Sequence, residues 1–364
     1  MNDVTRKLAS VRRIEAIDPI DGADNIVCAT VDGWKLVTQK TNNFQPGDLV
    51  VYFEIDSFLP AIEKFEFLRK SSLKVMDNVE GFRLKTIKLR GQISQGLILP
   101  LSEFFGFDEH YNLFYWDDPD DAFDPARHFL REGDDLTEML GVKKWEAPLH
   151  PSLAGKARGN FPDFIQKTDQ ERIQNVYKYF GRHKDVTKYE VTLKLDGSSM
   201  TVYCKSGYVG VCSRNLDLTE TDDNAFWKVA RSTMLVEALE AYGKNIAIQG
   251  ELMGPGIQGN RENLKELELY VFDVYDIDNM EYVDTVTKRK VLDDLYRLGA
   301  AFKNVPVVDY IGLDHFVSVE EFLNYADRPS IIHPIAEGVV FKNMDGKRHS
   351  FKVINNKFLL KEKD

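Results

Sequence analysis

Cysteine is scarce in this 364-residue chain: Cys28, Cys204 and Cys212 are the only three, with no CxxC spacing and no obvious pairing. A disulfide-stapled secreted fold is not what such a pattern describes, and a reducing, intracellular compartment, the cytoplasm first, is expected. The seven histidines are scattered and form neither H-x-E nor HExxH, so they read as surface or packing residues and not as a zinc centre. No apolar run reaches the roughly 18 residues of a membrane span, and membrane partners are not expected. The N-terminal MNDVTRKLASVRR lacks the apolar core of a secretory signal. No internal repeat, low-complexity tract or βαβ phosphate loop is present. An excess of positive charge is also missing: the formal net charge is −11, which argues against non-specific coating of nucleic acid.

The charge that exists is unevenly placed. Asp108 to Glu138 carries eleven acids against Arg127 and Arg131, whereas Pro60 to Pro100 carries eight basic residues against four acids. One face could meet a polyanion while another stays solvated. The length suits two domains with substantial cores. Over the first hundred residues, short strands are expected at Lys7–Ile17, Asn25–Val31, Trp34–Gln39, Asp48–Ile55, Phe82–Leu89 and Gly96–Leu99. Asp18-Pro19, Asp21-Gly22, Asp32-Gly33 and Pro46-Gly47 punctuate them. Such spacing without long helices predicts a small Greek-key barrel of the OB type. Lys85, Lys88 and Arg90 lie on one strand and its exit. They could track a phosphate backbone, or form an ordinary solvated strand face. An acidic, aromatic-rich insertion follows (Phe104, Phe105, Phe107, Tyr111, Phe114, Tyr115, Trp116, then Asp117 to Asp121), whose aromatics are expected to pack on the barrel. Residues 1–145 thus read as one domain. Periodicity is lost and Pro and Gly appear over 146–160, the expected linker.

Residues 161–364 read as an α+β domain of antiparallel sheets with flanking helices. Thr168 or Asp169 is placed to cap a helix that carries Glu171 and Arg172 in its first turn. Tyr189–Lys194 alternates like a strand and is followed by Asp196-Gly197 and a second strand at Met200–Tyr203, a pattern that alone also describes a β-hairpin. Further strands are expected at Tyr208–Ser213, Ile246–Leu252, Leu269–Tyr275, Gly338–Lys342 and His349–Ile354. Helices are expected over Asp223–Tyr242, Thr285–Leu298 and Val317–Tyr325. Charged and aromatic side chains collect at the strand ends: Lys194, Asp196, Arg214, Glu251, Phe272, Glu337, Lys342 and Lys352. Each has an ordinary reading as a solvated or snorkelling group, and Phe272 also reads as a core aromatic. Together they supply a nucleophile, carboxylates for a divalent cation, cations for phosphate and an aromatic for a base.

The order of these segments carries more. KLDG at Lys194–Gly197, SRN at Ser213–Asn215, IQGEL at Ile248–Leu252, LYVFDVY at Leu269–Tyr275, AEGVVFK at Ala336–Lys342 and FKV at Phe351–Val353 resemble the successive motifs of the covalent nucleotidyltransferase superfamily of ligases and capping enzymes. QKTDQERIQN at Gln166–Asn175 resembles the stretch ahead of the nucleophile in RNA ligases. Only twelve residues follow Lys352, and the barrel-like unit comes first. That arrangement is similar to the ATP-dependent RNA ligases with an N-terminal OB domain, and unlike DNA ligases and capping guanylyltransferases, which carry theirs after the last motif.

The resemblance implies a monomer that seals RNA 3′-OH and 5′-phosphate ends, at nicks in duplex, through a lysyl-AMP on Lys194. It implies Asp196, Glu251 and Glu337 holding Mg²⁺ or Mn²⁺ largely through water. Arg172, Arg214, Lys342 and Lys352 would hold phosphate or ribose, Gly197 would admit the nucleotide, and Phe272 would stack on adenine. One frame departs from the pattern: where many members have two lysines one residue apart, this chain has Ser350-Phe351-Lys352, so Lys342 or Arg348 is left to supply the other charge. The remaining readings are a DNA ligase, a guanylyltransferase and a non-catalytic nucleic-acid-binding protein.

Overall fold

The computed structural model describes residues 6–107, 113–115, 130–147, 155–180, 188–344 and 349–361. The chain forms two compact units, Met1–Pro148 and Leu149–Asp364. Among the described residues, no helix is long and apolar enough to cross a membrane.

The first unit is built of short antiparallel strands. Ala9–Arg13 and Leu97–Pro100 flank Leu49–Phe53, and Ala16–Pro19, Ile26–Val31 and Trp34–Gln39 form a meander. The single strand expected over Lys7–Ile17 is two. Ile14 N–H donates to Asp48 O but Glu15 N–H donates to Thr30 O, so the chain changes partner at that bond and turns a corner between sheets. Ser57–Pro60 and Leu73–Met76, not foreseen from the sequence, join Val79–Arg83 in a sheet closed by Lys143–Lys144. These strands are too short to show a period. Phe53, Phe65, Phe82, Phe104 and Phe105 meet in the core with Leu59, Leu136 and Val142. Phe104, from the insertion, lies 5.9 Å from both Phe53 and Phe65, ring centre to ring centre. The side chains of Phe107, Tyr111, Phe114, Tyr115 and Trp116 and the Asp117–Asp121 run lie outside the described residues. Lys88 and Arg90 are exposed on the hairpin Ile87–Leu89/Gln92–Ser94, with Lys85 partly buried before it. Its two-residue turn, Arg90-Gly91, has both φ angles positive (47° and 83°), the geometry whose twist matches paired strands.

In the second unit, part of the stretch expected as linker is a strand: Ala157–Asn160 pairs with Leu216–Leu218. It edges a largely antiparallel eight-stranded sheet that continues through Tyr208–Cys212, Ser198–Lys205, Ile246–Met253, Glu268–Asp276 and Glu281–Tyr282, with Lys303–Asn304 beside Glu268–Asp276. A five-stranded sheet runs Glu171–Arg172, Ser350–Ile354, Gly338–Asn343, Lys188–Lys194, Val307–Gly312. Alternation along each strand divides the side chains between faces. On the larger sheet Met200, Val202, Ile246, Ile248 and Leu252 enter a core under the helices, while Ser199, Thr201, Gln249 and Glu251 occupy the other face. On the smaller sheet Val191, Val339, Phe341, Phe351 and Val353 enter a second core. Glu190, Thr192, Lys194, Lys342 and Lys352 take the opposite face.

The helix expected over Asp223–Tyr242 is broken in two, Ala225–Ser232 and Leu235–Tyr242, because Met234 takes a left-handed φ of 53°. Asn224 caps the first by accepting from the Phe226 and Trp227 amides. Thr285–Arg297 and Val319–Ala326 are helices capped by Asp284 and Ser318.

Candidate active site

Lys194 ends the strand Lys188–Lys194 of the smaller sheet, and Ser198–Lys205 begins in the larger one. Leu195-Asp196-Gly197 is therefore a crossover between sheets and not a hairpin turn, since the flanking strands pair with other partners. Leu193 and Leu195 anchor the crossover in an apolar cluster with Met253, Tyr270, Val305 and Ala336. Gly197 is required by space: a Cβ there would stand 2.4 Å from Leu252 O and 2.8 Å from Glu251 Cγ. That closeness lets the Gly197 amide donate to Glu251 Oε1 at 3.0 Å, which fixes the carboxylate beside the crossover.

Lys194 Nζ lies 2.7 Å from Glu337 Oε1. Burial disfavours its charge, but Glu337, Glu251 and Asp196 outweigh burial and hold the ammonium above its usual pKa. The acids respond in kind. Burial first, with Glu337 and Asp196 adding repulsion against the pull of Lys194, pushes Glu251 up to about 8. Burial and Glu337 raise Asp196 to about 6 against the pull of Arg261, whose Nη1 lies 3.6 Å away, and of Lys194. Three carboxyls thus surround one lysine and one arginine, a surplus of oxygen ligands suited to a hard divalent cation. Among the described residues no three His, Cys, Asp or Glu side chains form a direct metal cage.

Phe272 is positioned by a β-bulge. Gln249 pairs with Asp273 and Gly250 with Val271, so Phe272 is the extra residue of its strand. Its ring is partly exposed and packs beside the Leu193–Leu195 cluster. Its carbonyl is taken by two lysines, Lys342 Nζ at 2.8 Å and Lys288 Nζ at 3.5 Å. Lys342 also pairs with Asp273 at 2.8 Å, and Lys288 with the 2%-exposed Glu190 at 2.6 Å. Lys342 therefore ties the two sheets together and sits 5.0 Å from the Phe272 ring centre. Burial, with help from Lys288 and against Asp273, brings its pKa down to about 8.

Arg172 is not in a helix's first turn: Glu171–Arg172 is a short strand, parallel to Ser350–Ile354, and the helix begins at Ile173. The pairing puts Arg172 directly beside Lys352, so two cations are adjacent on one sheet. Arg214 is half-exposed and paired with Asp169 at 2.9 Å. Next to it, Asn215 Oδ1 accepts from Lys167 at 2.9 Å. The 166–170 segment is further held by Gln249 Nε2, which donates to Gln166 O at 2.8 Å, and by a 3.2 Å contact between the Thr168 and Ser199 hydroxyls. Arg348 lies outside the described residues.

Sequence reasoning did not single out Arg261, Gln249, Asp273 or the Glu190–Lys288 pair. The alternation of Glu190, Thr192 and Lys194 with Tyr189, Val191 and Leu193 was a usable signal for a polar sheet face. Arg261 sits in a glycine-rich loop with no period and left no such trace.

The OB-fold domain family matches residues 8–101, and the RNA ligase family matches residues 187–354. No curated protein matches the chain. Among solved structures, the Naegleria gruberi RNA ligase with PPi is 42% identical over 98% of this chain and 99% of its own, with a TM-score of 0.84. A lysine-to-alanine mutant of that ligase with ATP and Mn gives 42%, 98%, 99% and 0.85. A glutamate-to-alanine mutant with AMP and Mn gives the same four values. Full-length similarity at that identity, over both the barrel and the two-sheet unit, places the chain in the RNA ligase family, with an OB-fold domain ahead of its ligase domain.

Proposed function

We propose that this RNA ligase uses ATP and a divalent cation to join RNA 3′-OH and 5′-phosphate ends at nicks in duplex, acting as a monomer through a lysyl-AMP on Lys194. The observation that carries the reading is Lys194 at the junction of two polar sheet faces, encircled by Asp196, Glu251 and Glu337. Similarity to a ligase captured with ATP and Mn, with AMP and Mn, and with PPi supports the nucleotide and the cation.

In the first step the neutral Lys194 amine attacks the α-phosphorus of ATP. An N–P bond forms, the bond to the bridging oxygen breaks, pyrophosphate leaves, and the amine proton passes to solvent. An oxygen of the RNA 5′-phosphate then attacks that phosphorus and displaces Lys194, which regains a proton. Finally the 3′-OH attacks the RNA 5′-phosphorus, its proton passing to solvent, and expels AMP. Lysine with an ordinary pKa of about 10.4 is neutral only once in several thousand molecules at pH 7, a cost of about 4–5 kcal/mol. The three carboxylates deepen that cost in the free protein. Asp196, Glu251 and Glu337 would hold Mg²⁺ or Mn²⁺, largely through water, and the cation would supply positive charge against their pull on the Lys194 proton and for the phosphates. Arg172, Lys352 and Arg214 meet phosphate or ribose, Gly197 allows close approach of the nucleotide, and Phe272 stacks on adenine. Lys342 acts through Phe272, whose carbonyl it holds. On the OB-fold domain, Lys85, Lys88 and Arg90 contact the RNA backbone.

Incubation with α-labelled ATP and Mn²⁺, followed by a denaturing gel, is expected to show a covalent protein–AMP adduct that Lys194→Ala abolishes. An adduct from GTP and not ATP would reject the reading. Nicked duplexes with an RNA or a DNA 3′-OH strand test the substrate; equal sealing of both rejects RNA specificity. Replacing Lys88 and Arg90 by Gln should lower nick affinity and reduce its salt dependence by about two charges.

A further inference from the structure

Asp196 is held by an arginine from elsewhere in the chain. Between Ile246–Met253 and Glu268–Asp276 the chain makes a loop in which Gly254, Gly256, Gln258, Gly259, Asn260 and Asn263 all have positive φ. Five of the six are Gly or Asn, which take positive φ readily, so the loop follows this path with little strain and needs only outside contacts to hold it in place. Two consecutive residues make them. The buried Glu262 carboxylate accepts from the Ile332 amide at 2.6 Å and the His333 amide at 3.0 Å. Arg261 Nη2 donates to Ile335 O at 3.1 Å and contacts His333 Nδ1 at 3.1 Å, with its guanidinium 4.5 Å from the Phe358 ring centre. Its other terminal nitrogen, Nη1, faces Asp196.

The guanidinium therefore spans two parts of the site that the chain reaches separately. On one side is the carboxylate two residues after the nucleophile. On the other is the backbone two residues before Glu337, itself in contact with Lys194 Nζ. A planar fork seated on an aromatic ring presents two separate nitrogens to these two partners in a fixed relative orientation, whereas an ammonium is a single point charge whose donors rotate freely. We infer that Arg261 is a positioning residue for the adenylylation step: it sets the Asp196 carboxylate and the Glu337 segment in one fixed relation around Lys194, and does not itself touch the phosphates. The inference rests on the reading of Lys194 as the nucleophile.

The test is single-turnover adduct formation from α-labelled ATP with full-length protein, titrating ATP and Mn²⁺ separately. Arg261→Gln keeps an amide able to reach Ile335 O but loses the charge facing Asp196. The expected result is a fall of at least tenfold in the rate at saturating ATP, less than threefold change in the ATP half-saturation point, and a higher Mn²⁺ requirement. Arg261→Lys should recover part of the rate. In an Asp196→Asn background the same Arg261 change should cost less than threefold, because two residues acting through one contact do not add. Fully additive losses would overturn the inference, as would a raised ATP half-saturation point with the saturated rate unchanged, which would make Arg261 a phosphate ligand. If Arg261→Gln does not fold, Phe358→Leu, which removes only the ring under the guanidinium, should show a smaller loss of the same kind; no loss rejects the inference. Failure of the nucleophile reading is separate, since it would appear as an adduct that survives Lys194→Ala.

Discussion

Lys194 and Lys342 lie on adjacent strands of one sheet, on the same face, and their surroundings pull their protons in opposite directions. Lys342 is in a nearly closed account of charge: Lys288 beside it, Asp273 and Glu190 opposite, and a freed carbonyl to receive both ammoniums. Its lowered pKa comes from burial and a neighbouring cation, and two of its three donors are taken by Asp273 and the Phe272 carbonyl. Lys194 faces more carboxyls than the nearby cations balance. If Lys194 is the nucleophile as proposed, a depressed pKa does not mark it in the free protein. On the proposed reading, the group that reacts is the one whose surroundings are incomplete until a cation and phosphates arrive, and the group with the more convenient pKa braces Phe272.

The largest expected difference between the two lysines is in chemistry. Lys194→Ala should lower adduct formation by at least about a thousandfold, with the melting temperature little changed. Lys342→Met should invert the pattern. Leaving Asp273 buried without its partner should cost about 3 kcal/mol in chemical denaturation, while adduct formation falls only about tenfold, mostly as weaker ATP binding through Phe272. Equal losses of chemistry in the two variants would erase the distinction.

Replacing a single carboxylate should give a smaller effect that depends on the cation. Glu337→Gln should slow the adduct roughly a hundredfold at limiting Mn²⁺ and less at high Mn²⁺, measured by metal titration at saturating ATP. The smallest expected effect is on stability against pH. Glu251 and Asp196 have folded pKa values raised above their unfolded ones, so the folded protein binds more protons over roughly pH 4 to 8. The contribution of these two groups to the stability of the metal-free protein should accordingly fall as pH rises through that window, by at most about 1.4 kcal/mol per pH unit for each group. Thermal melts should show Glu251→Gln flattening the upper part, from about pH 6 to 8, and leaving the lower part attributable to Asp196. Near pH 4 to 5 the lowered carboxyls of Glu66, Glu220, Asp223, Glu268 and Asp284 act in the opposite direction, so the test is the upper part: a stability that rises from about pH 6 to 8 and is unchanged by Glu251→Gln would contradict the carboxylate surplus.

Much of the ligase domain was legible because its strands alternate. Tyr189–Lys194 and Gly338–Lys342 each show an apolar and a polar row, and both rows lie where the alternation puts them. What alternation cannot show is which strands pair. Asp196-Gly197 between two strands describes a hairpin equally well, and only long-range pairing with Gly338–Asn343 and Ile246–Met253 makes it a bridge between sheets. Arg172 was misplaced for a similar reason: Thr168 and Asp169 are good capping residues, but pairing with Phe351 and Lys352 drew Glu171 and Arg172 into a strand and delayed the helix. Met234 broke a helix whose apolar period runs through it unbroken. Arg261 acts across more than sixty positions of sequence from a loop without period, where local pattern has no purchase.

The bulge at Phe272 has a consequence of parity. Along Glu268–Asp276 every residue's face is decided by whether its count is odd or even, and the extra residue resets that count at one point. Losing one residue on either side would let the ladder run evenly through the bulge and turn over the residues between the deletion and Phe272, sending Asp273 away from Lys342 or Val271 away from the core it fills. The strand should therefore tolerate changes of side chain far better than changes of length away from the bulge, and deleting one residue next to Asp273, such as Val274, should do more harm than replacing or deleting Phe272 itself.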